Sequence, residues 1–307
     1  MTTNKENNSE DKYYEDEFSI REFIEIVWSS KNTIISIGFL SFIFFLAFTL
    51  SKPNFYTSDT LLRVNDTESD SSISRLASSY SGLASLAGVN LQTNSNSKSN
   101  LVLATINSKE FFEHLSTFSE VLPNLYAAKG YDEEKQEVIF DADLFNPEEG
   151  GWQIPVPSPL NVHANFIEGL VVSQDQDTGF IYLSVEHISP KFAYFLCNLI
   201  LQEANNLIRE KQLAESYKAQ EFLNKQLEKN LSMEVKKSTI QILEAQLQIQ
   251  MIANVRGEYM VSPIDKPYIP LHKSGPDHFK NSFLGLLLGL GLGLLLSLIR
   301  AYFSSSK

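Results

Sequence analysis

Ser189-PKFAYFLCNLILQEANNLIREKQLAESYKAQEFLNKQLEKNLSMEVKKSTIQILEAQLQIQMIANVR-Gly257 is the stretch on which the fold turns. Lys191 to Arg256 contains no Gly and no Pro. Ser189 and Pro190 supply a helix N-cap and a first-turn proline. Gly257 closes the stretch, and Pro263 lies beyond it. Glu, Gln, Lys, Leu and Ala dominate, all strong helix formers. Apolar residues recur at helical spacing: Leu196, Leu199/Ile200, Ala204 and Leu207/Ile208, then Leu223, Leu227, Leu231 and Val235, then Ile240, Leu243, Leu247 and Met251. One helix over 189–256 would be on the order of 100 Å long. That is too long for a small domain to cover, so it must stand out as a stalk or pack on neighbouring chains. Leu223, Leu227, Leu231 and Val235 are the candidates to face other subunits. Two shorter antiparallel helices are the alternative. The absence of a Gly or Pro turn signal argues against them, and the polar-rich stretch Lys229–Lys237 is where a break would fall.

Upstream, residues 53–188 show mixed patterns. Phe55-YTSDTLLR-Val64 is strand-like. Ser71 to Gly88 is rich in small residues and reads as a loosely packed helix, and Leu91 to Asn100 as a mobile loop. Ser108-KEFFEHL-Ser116 is a helix with Ser108 as its cap. Gln136-EVIFDA-Asp143 is a candidate strand. A hairpin is expected from Val162-HANFIEGLVVS to Phe180-IYLSVEH-Ile188, where Ile181, Leu183 and Val185 alternate with polar neighbours and Asp177-Thr178-Gly179 supplies the turn. Asp175 and Asp177 are read as a solvated turn rather than as paired catalytic carboxylates.

Two uncharged runs, Asn32 to Ser51 and Asn281 to Ile299, flank everything described so far. Each has the length and composition of a membrane-spanning helix. A signal peptide is the alternative for the first, but the 31 residues before it hold eight acidic and four basic side chains. A signal n-region is short and basic, so a retained anchor over 33–50 is expected, with the second span over 282–299. Trp28 and Lys31 stand at the membrane interface. Phe18-SIREFIEIVW reads as a capped interfacial helix over 18–31, and residues 1–17 as a disordered tail. Gly285, Gly289 and Gly293 share one face of the second span, as in close helix packing. Gly289-Leu-Gly291-Leu-Gly293 is not a phosphate loop, because it lies in an apolar run. Pro263, Pro267 and Pro270 mark an extended return segment over 257–280.

Composition narrows the function. The 307 residues carry a net charge of −12, which disfavours nucleic acid. Residues 52–280 hold 19 basic and 29 acidic side chains, a soluble segment that anionic headgroups would repel. The single cysteine, Cys197, sits among apolar neighbours as a core thiol and forms no internal disulfide. The five histidines are scattered and lack metal spacing. Catalytic, cofactor and metal residues are therefore all assigned as none. A membrane-anchored hydrolase hidden in 100–188 finds no supporting constellation.

The chain resembles the chain length determinant (Wzz-type) proteins, the polysaccharide co-polymerases of bacterial inner membranes. The residues that carry the resemblance are Phe18-SIREFIEIVWSSK before the first span, Tyr56-TSDTLL after it, Ser189-Pro190 with Tyr194 and Asn198, and Asp265-KPYIP before a Gly/Leu-rich second span. Two departures stand out. Ser29 follows Trp28 where relatives often have Arg, and the basic residue of the last motif is displaced to His272-Lys273 or Lys280.

The resemblance implies an α+β membrane protein with two transmembrane helices flanking a periplasmic α/β base domain (53–188) and one very long helix. Both termini, including 300–307, would be cytoplasmic. It further implies a non-enzymatic homo-oligomer in the inner membrane that sets the length of an O-antigen-like polysaccharide. Its partners would be a membrane glycan polymerase, lipid-linked polysaccharide and inner-membrane lipid. The alternative is a component of capsule or exopolysaccharide export, coupled to an outer-membrane channel or a separate kinase. The short tail after Arg300 and the lack of a GxxxxGK[ST] motif disfavour a fused kinase.

Overall fold

The structure, a computed structural model, describes residues 27–65, 95–229 and 232–305. The expectations for 1–26, for 66–94 and for Leu231 lie outside the described residues. The chain divides into two compact units. One ends at Lys52 and resumes at Pro276; the other is Pro53–Gly275.

The first unit consists of two helices, α1 (Lys31–Leu50) and the last helix, α8 (His278–Ser305). Both are long and apolar enough to cross a membrane. Asn32 to Ser51 and Asn281 to Ile299 remain uncharged throughout, so each helix can sit in hydrocarbon with its backbone satisfied internally.

The second unit is built on a four-stranded antiparallel sheet in the order β6-β7-β1-β8. Strand β1 (Tyr56–Val64) is central. It pairs with β7 (Ile181–His187) from Tyr56↔His187 to Leu62↔Ile181, and with β8 (Val261–Asp265) from Leu62↔Pro263 to Val64↔Val261. Strand β6 (Leu170–Gln174) lies outside β7. On β1 the even-numbered residues Tyr56, Ser58, Thr60, Leu62 and Val64 are buried, and on β7 the odd-numbered residues are, as period-two side chains require. Four short helices, α2 (Ser95–Ile106), α3 (Lys109–Leu115), α4 (Val121–Tyr126) and α5 (Pro159–Glu168), and the small pairs β2–β3 (Ala128–Asp132, Glu137–Phe140) and β4–β5 (Phe145–Asn146, Gly151–Trp152) complete this part.

The core lies between the sheet and the first half of α6 (Pro190–Leu227). Phe192, Leu196, Ile200 and Ile208 meet Leu62, Ile181, Leu183, Val102, Phe111, Phe112 and Phe166. Burying a side chain of this size contributes about 1.5–3 kcal/mol. Helix α6 begins where the sequence places it: Ser189 Oγ accepts from Phe192 N–H at 3.3 Å, and Pro190 occupies the first turn. Asn205 ties this helix to the sheet, since its Oδ1 accepts from the N–H groups of Met260 and Val261 at 2.8 and 3.0 Å.

Three expectations are corrected. The single helix over 189–256 is two: α6 ends at Leu227, and α7 (Met233–Val255) folds back along it. The antiparallel contact runs from Ser216 Oγ, which donates to Gln246 O, to Leu223, which packs on Ile242 and Leu243. A rod would leave this face in water, whereas folding back buries it. Between Leu227 and Met233 the sequence holds neither Gly nor Pro. Residues 159–168, expected as the first arm of the hairpin, form α5, because Ser158-Pro159 starts a helix and Val162 and Phe166 fall one turn apart on its buried face. The strand begins only after Gly169, whose backbone passes Glu186 so closely that a Cβ would lie 2.7 Å from that carbonyl oxygen. Residues 95–100, expected within a loop, are the first turns of α2.

Candidate functional site

In the first unit α1 and α8 run antiparallel at close range. A Cβ at Gly285 would lie 2.5 Å from Phe45 Cγ, one at Gly289 2.5 Å from Ser41 Cβ, and one at Gly293 3.0 Å from Ile34 Cα. The three glycines thus line the face of α8 that packs on α1, with Gly38 opposite them. Ser41 Oγ donates to Gly285 O at 2.7 Å, a contact that sequence reasoning missed. The large side chains Ile35, Phe39, Leu40, Phe44, Leu284, Leu287 and Leu288 are exposed. Trp28 is exposed, and Lys31 Nζ lies 5.3 Å from its ring centroid. At the other end of α1, Lys52 Nζ lies over Phe48 at 4.9 Å. A cation held on an aromatic ring therefore marks each end of the apolar run.

In the second unit the four helix candidates separate. Leu223 is 4% exposed and faces Ile242 and Leu243 of its own chain, so it is not free to face a neighbour. Leu227 and Val235 are half-buried. The exposed apolar residues lie elsewhere. Met233, Ile240, Leu247, Met251 and Val255 are all exposed, and at 100° per residue they fall on one face of α7. Ile242, Ala245, Gln246, Gln250 and Ala253 fall on the opposite face, buried against α6. Apart from Ile242 the inner face is thus small or polar, and the outer face carries exposed large hydrophobes. Gln250 Nε2 donates to Ser216 Oγ at 3.1 Å and to Gln220 Oε1 at 3.0 Å across the contact.

The return segment is tied to the sheet. Pro263 sits in β8 opposite Leu62, in an edge strand, where a residue without an N–H is tolerated. Pro267 and Pro270 are buried. Ser58 Oγ donates to Tyr268 O at 2.8 Å, and Thr60 Oγ1 to Asp265 O at 2.5 Å. Hydrogen bonding to the Asp59 carboxylate pushes the exposed Tyr268 phenol up.

Three groups singled out in the sequence have structural surroundings. Burial holds the Cys197 thiol neutral, pushed up to about 12. Asp175 closes a turn by accepting from Asp177 N–H and Thr178 N–H, which lowers its pKa. His187 is buried between β7 and α6. Its Nδ1 accepts from Ser189 N–H at 3.0 Å, and its Nε2 meets Asn124 O at 3.0 Å, so the neutral Nε2–H tautomer satisfies both partners. Burial pushes its pKa down to about 4. No group of three or more potential metal ligands occurs among the described residues.

A cavity of about 730 Å³ opens at the end of β1 and β8. Arg63, Val64, Asn65, Arg256, Gly257, Glu258 and Ser262 line it. Its floor is fixed by Asn65, whose Nδ2 donates to Glu258 O at 2.8 Å and whose Oδ1 accepts from Ser262 Oγ at 2.9 Å. Sequence reading had no signal for this site, because Arg63 and Arg256 are 193 residues apart and meet only through the β1–β8 pairing.

Residues 16–122 match the family model described as Wzz, chain length determinant protein. Two solved structures are similar. A full-length bacterial polysaccharide co-polymerase is 10% identical, with a TM-score of 0.40, over 94% of this chain and 99% of that one. A fragment of WzzB, the polysaccharide co-polymerase from Salmonella Typhimurium, is 14% identical, with a TM-score of 0.35, over 72% of this chain and 100% of the fragment. No curated protein matches the chain. The family match over residues 16–122 agrees with the resemblance to the chain length determinant proteins read from the sequence.

Proposed function

We propose that this protein is a non-enzymatic regulator of the length of a surface polysaccharide, acting as a homo-oligomer beside a membrane glycan polymerase on lipid-linked polysaccharide. The observation that carries this reading is the match of residues 16–122 to the chain length determinant family. The arrangement of the chain supports it. Helices α1 and α8 are the two spans, with Trp28 and Lys31 at the interface and Gly285, Gly289 and Gly293 as the packing face. Residues 53–275 lie in the periplasm, both termini in the cytoplasm, and the spans in the inner membrane. Pro263, Pro267 and Pro270 stiffen the return to the second span.

The oligomer contact is the outer face of α7. Met233, Ile240, Leu247, Met251 and Val255 leave large hydrophobes in water on a face that also carries the exposed Lys237 and Glu244, and exposed apolar surface rimmed by polar residues marks interaction sites. A neighbouring copy that covers it supplies the burial which the fold-back withholds.

The test is a gene deletion followed by a gel of surface glycans. A changed modal length supports regulation. Complete loss of surface polymer supports the export reading instead, and an unchanged ladder defeats both.

A further inference from the structure

The cavity beside β1 and β8 reverses the charge of its surroundings. Residues 52–280 hold ten more acidic than basic side chains. Yet of the three arginines described in Pro53–Gly275, two line this one cavity; the third, Arg209, donates to Asn206 Oδ1 instead. Arg63 projects from β1 and Arg256 follows α7, and both are exposed. Neither has an ion-pair partner among the described residues. Glu258 is the one carboxylate of the lining. Guanidinium groups suit carboxylate and phosphate because their forked donors match two oxygens at once. A concave site of this size within an acidic surface concentrates the positive field that remains.

We propose that this cavity binds an anionic group, a carboxylate or phosphate, carried by the polysaccharide whose length the protein sets. The source of the anion rests on the function proposed above; the binding itself does not. Arg63 and Arg256 grip the anion from two elements. Asn65 and Ser262 hold the floor, and Gly257 adds no side chain to the lining, with open space where a Cβ would stand.

The experiment uses the full-length protein in mild detergent and three probes: trigalacturonate, inorganic phosphate and the neutral maltotriose. Calorimetric titration and melting temperature are read at two salt concentrations. Trigalacturonate is expected to bind and raise the melting temperature, more weakly at high salt, while maltotriose does neither. Arg63→Gln and Arg256→Gln each weaken binding about tenfold or more. Gly257→Phe fills the mouth and blocks binding with the melting temperature of the free protein unchanged. Phosphate that displaces trigalacturonate supports a shared anion site, and phosphate binding without trigalacturonate binding assigns the anion to a phosphate. Maltotriose that binds as well as trigalacturonate, no binding of either trigalacturonate or phosphate, or variants that bind like the parent, overturns the proposal. Glycan ladders separate the two readings. Binding lost in the variants, with a ladder shift like that of the deletion, ties the cavity to the glycan. Intact binding alongside a deletion that leaves the ladder unchanged removes the regulatory function and leaves the anion site standing.

Discussion

Helices α1 and α8 form one antiparallel pair and α6 and α7 another, and in both small residues admit close approach at the contact while many of the large apolar ones point outward. In the first pair glycines and Ser41 meet; in the second, Ser216, Ala219, Ala245, Gln246, Gln250 and Ala253 do. The same arrangement has opposite consequences in the two solvents. Between proposed spans, outward Phe and Leu are at home, because lipid is as apolar as they are and packing alone draws the helices together. On α7 in water, an outward Met, Ile, Leu, Met, Val row is unfavourable until something covers it. The first pair is complete as it stands, and the second calls for a partner.

The largest expected effect breaks the first pair. Replacing Gly285, Gly289 and Gly293 together by Leu drives side chains into Phe45, Ser41 and Ile34, where even a Cβ lies at 2.5 to 3.0 Å. Overpacking costs about 1–3 kcal/mol per site. The pairing of α1 with α8, followed by cysteine cross-linking between the helices in native membranes, is expected to disappear. Unchanged cross-linking would remove close packing as the reason for these glycines.

Acid acts on the other unit through His187. His187 is neutral in the fold, with its pKa pushed down to about 4 from the ordinary 6.5. Above pH 6.5 both folded and unfolded chains are neutral at this ring, and its contribution is fully present. As pH falls from 6.5 to 4 the unfolded chain takes up the proton first, and stability is lost by up to about 3 kcal/mol. Chemical denaturation followed at Trp152 is expected to show that loss, and His187→Gln to flatten it. The uncharged stretches of α1 and α8 carry no such group.

The outer face of α7 gives a smaller effect, specific to assembly. Leu247→Glu with Met251→Glu places charges where side chains are already exposed, so the fold is kept. Self-association, measured by sedimentation in mild detergent, is expected to weaken at least tenfold, about 1.4 kcal/mol. Leu227→Glu, at a half-buried position, is expected to do less. The reverse order returns the interface to the residues first read from the sequence.

What was legible and what was not follows from the range of each signal. Local chemistry gave Ser108 and Ser189 as caps and the alternation of β1 and β7, because each depends on neighbours within a few residues. The apolar lengths of α1 and α8 were equally plain. The fold-back of α7 was not, because the residues from 191 to 255 favour helix whether it is straight or returned, and much of the contact is made by Ser, Ala and Gln, which leave no apolar stripe to read. The stripe that was read mixed the buried Leu223 with the half-buried Leu227 and Val235. Residues 162–168 misled in the opposite sense: Val162 and Phe166 satisfy either period, and only Ser158-Pro159 decides for helix. Arg63 and Arg256 form a cavity through strand pairing, which no local pattern encodes.

The finest test compares one hydrogen bond in each pair. Gln250 reaches Ser216 and Gln220 from a buried position, so Gln250→Ala leaves Ser216 and Gln220 without that donor. Each bond lost there costs about 1 kcal/mol. Hydrogen exchange is expected to quicken across Met233–Val255 and stay unchanged in β1 and β7, whose protection comes from the apolar core. Ser41→Ala removes the bond to Gly285 O, and its cost is expected to be smaller, about 0.6 kcal/mol, because a serine in an unpaired membrane helix finds its own backbone as acceptor. If Ser41→Ala proves the costlier change, hydrogen bonding rather than glycine contact holds α1 to α8, and the two pairs are alike in their chemistry as well as in their shape.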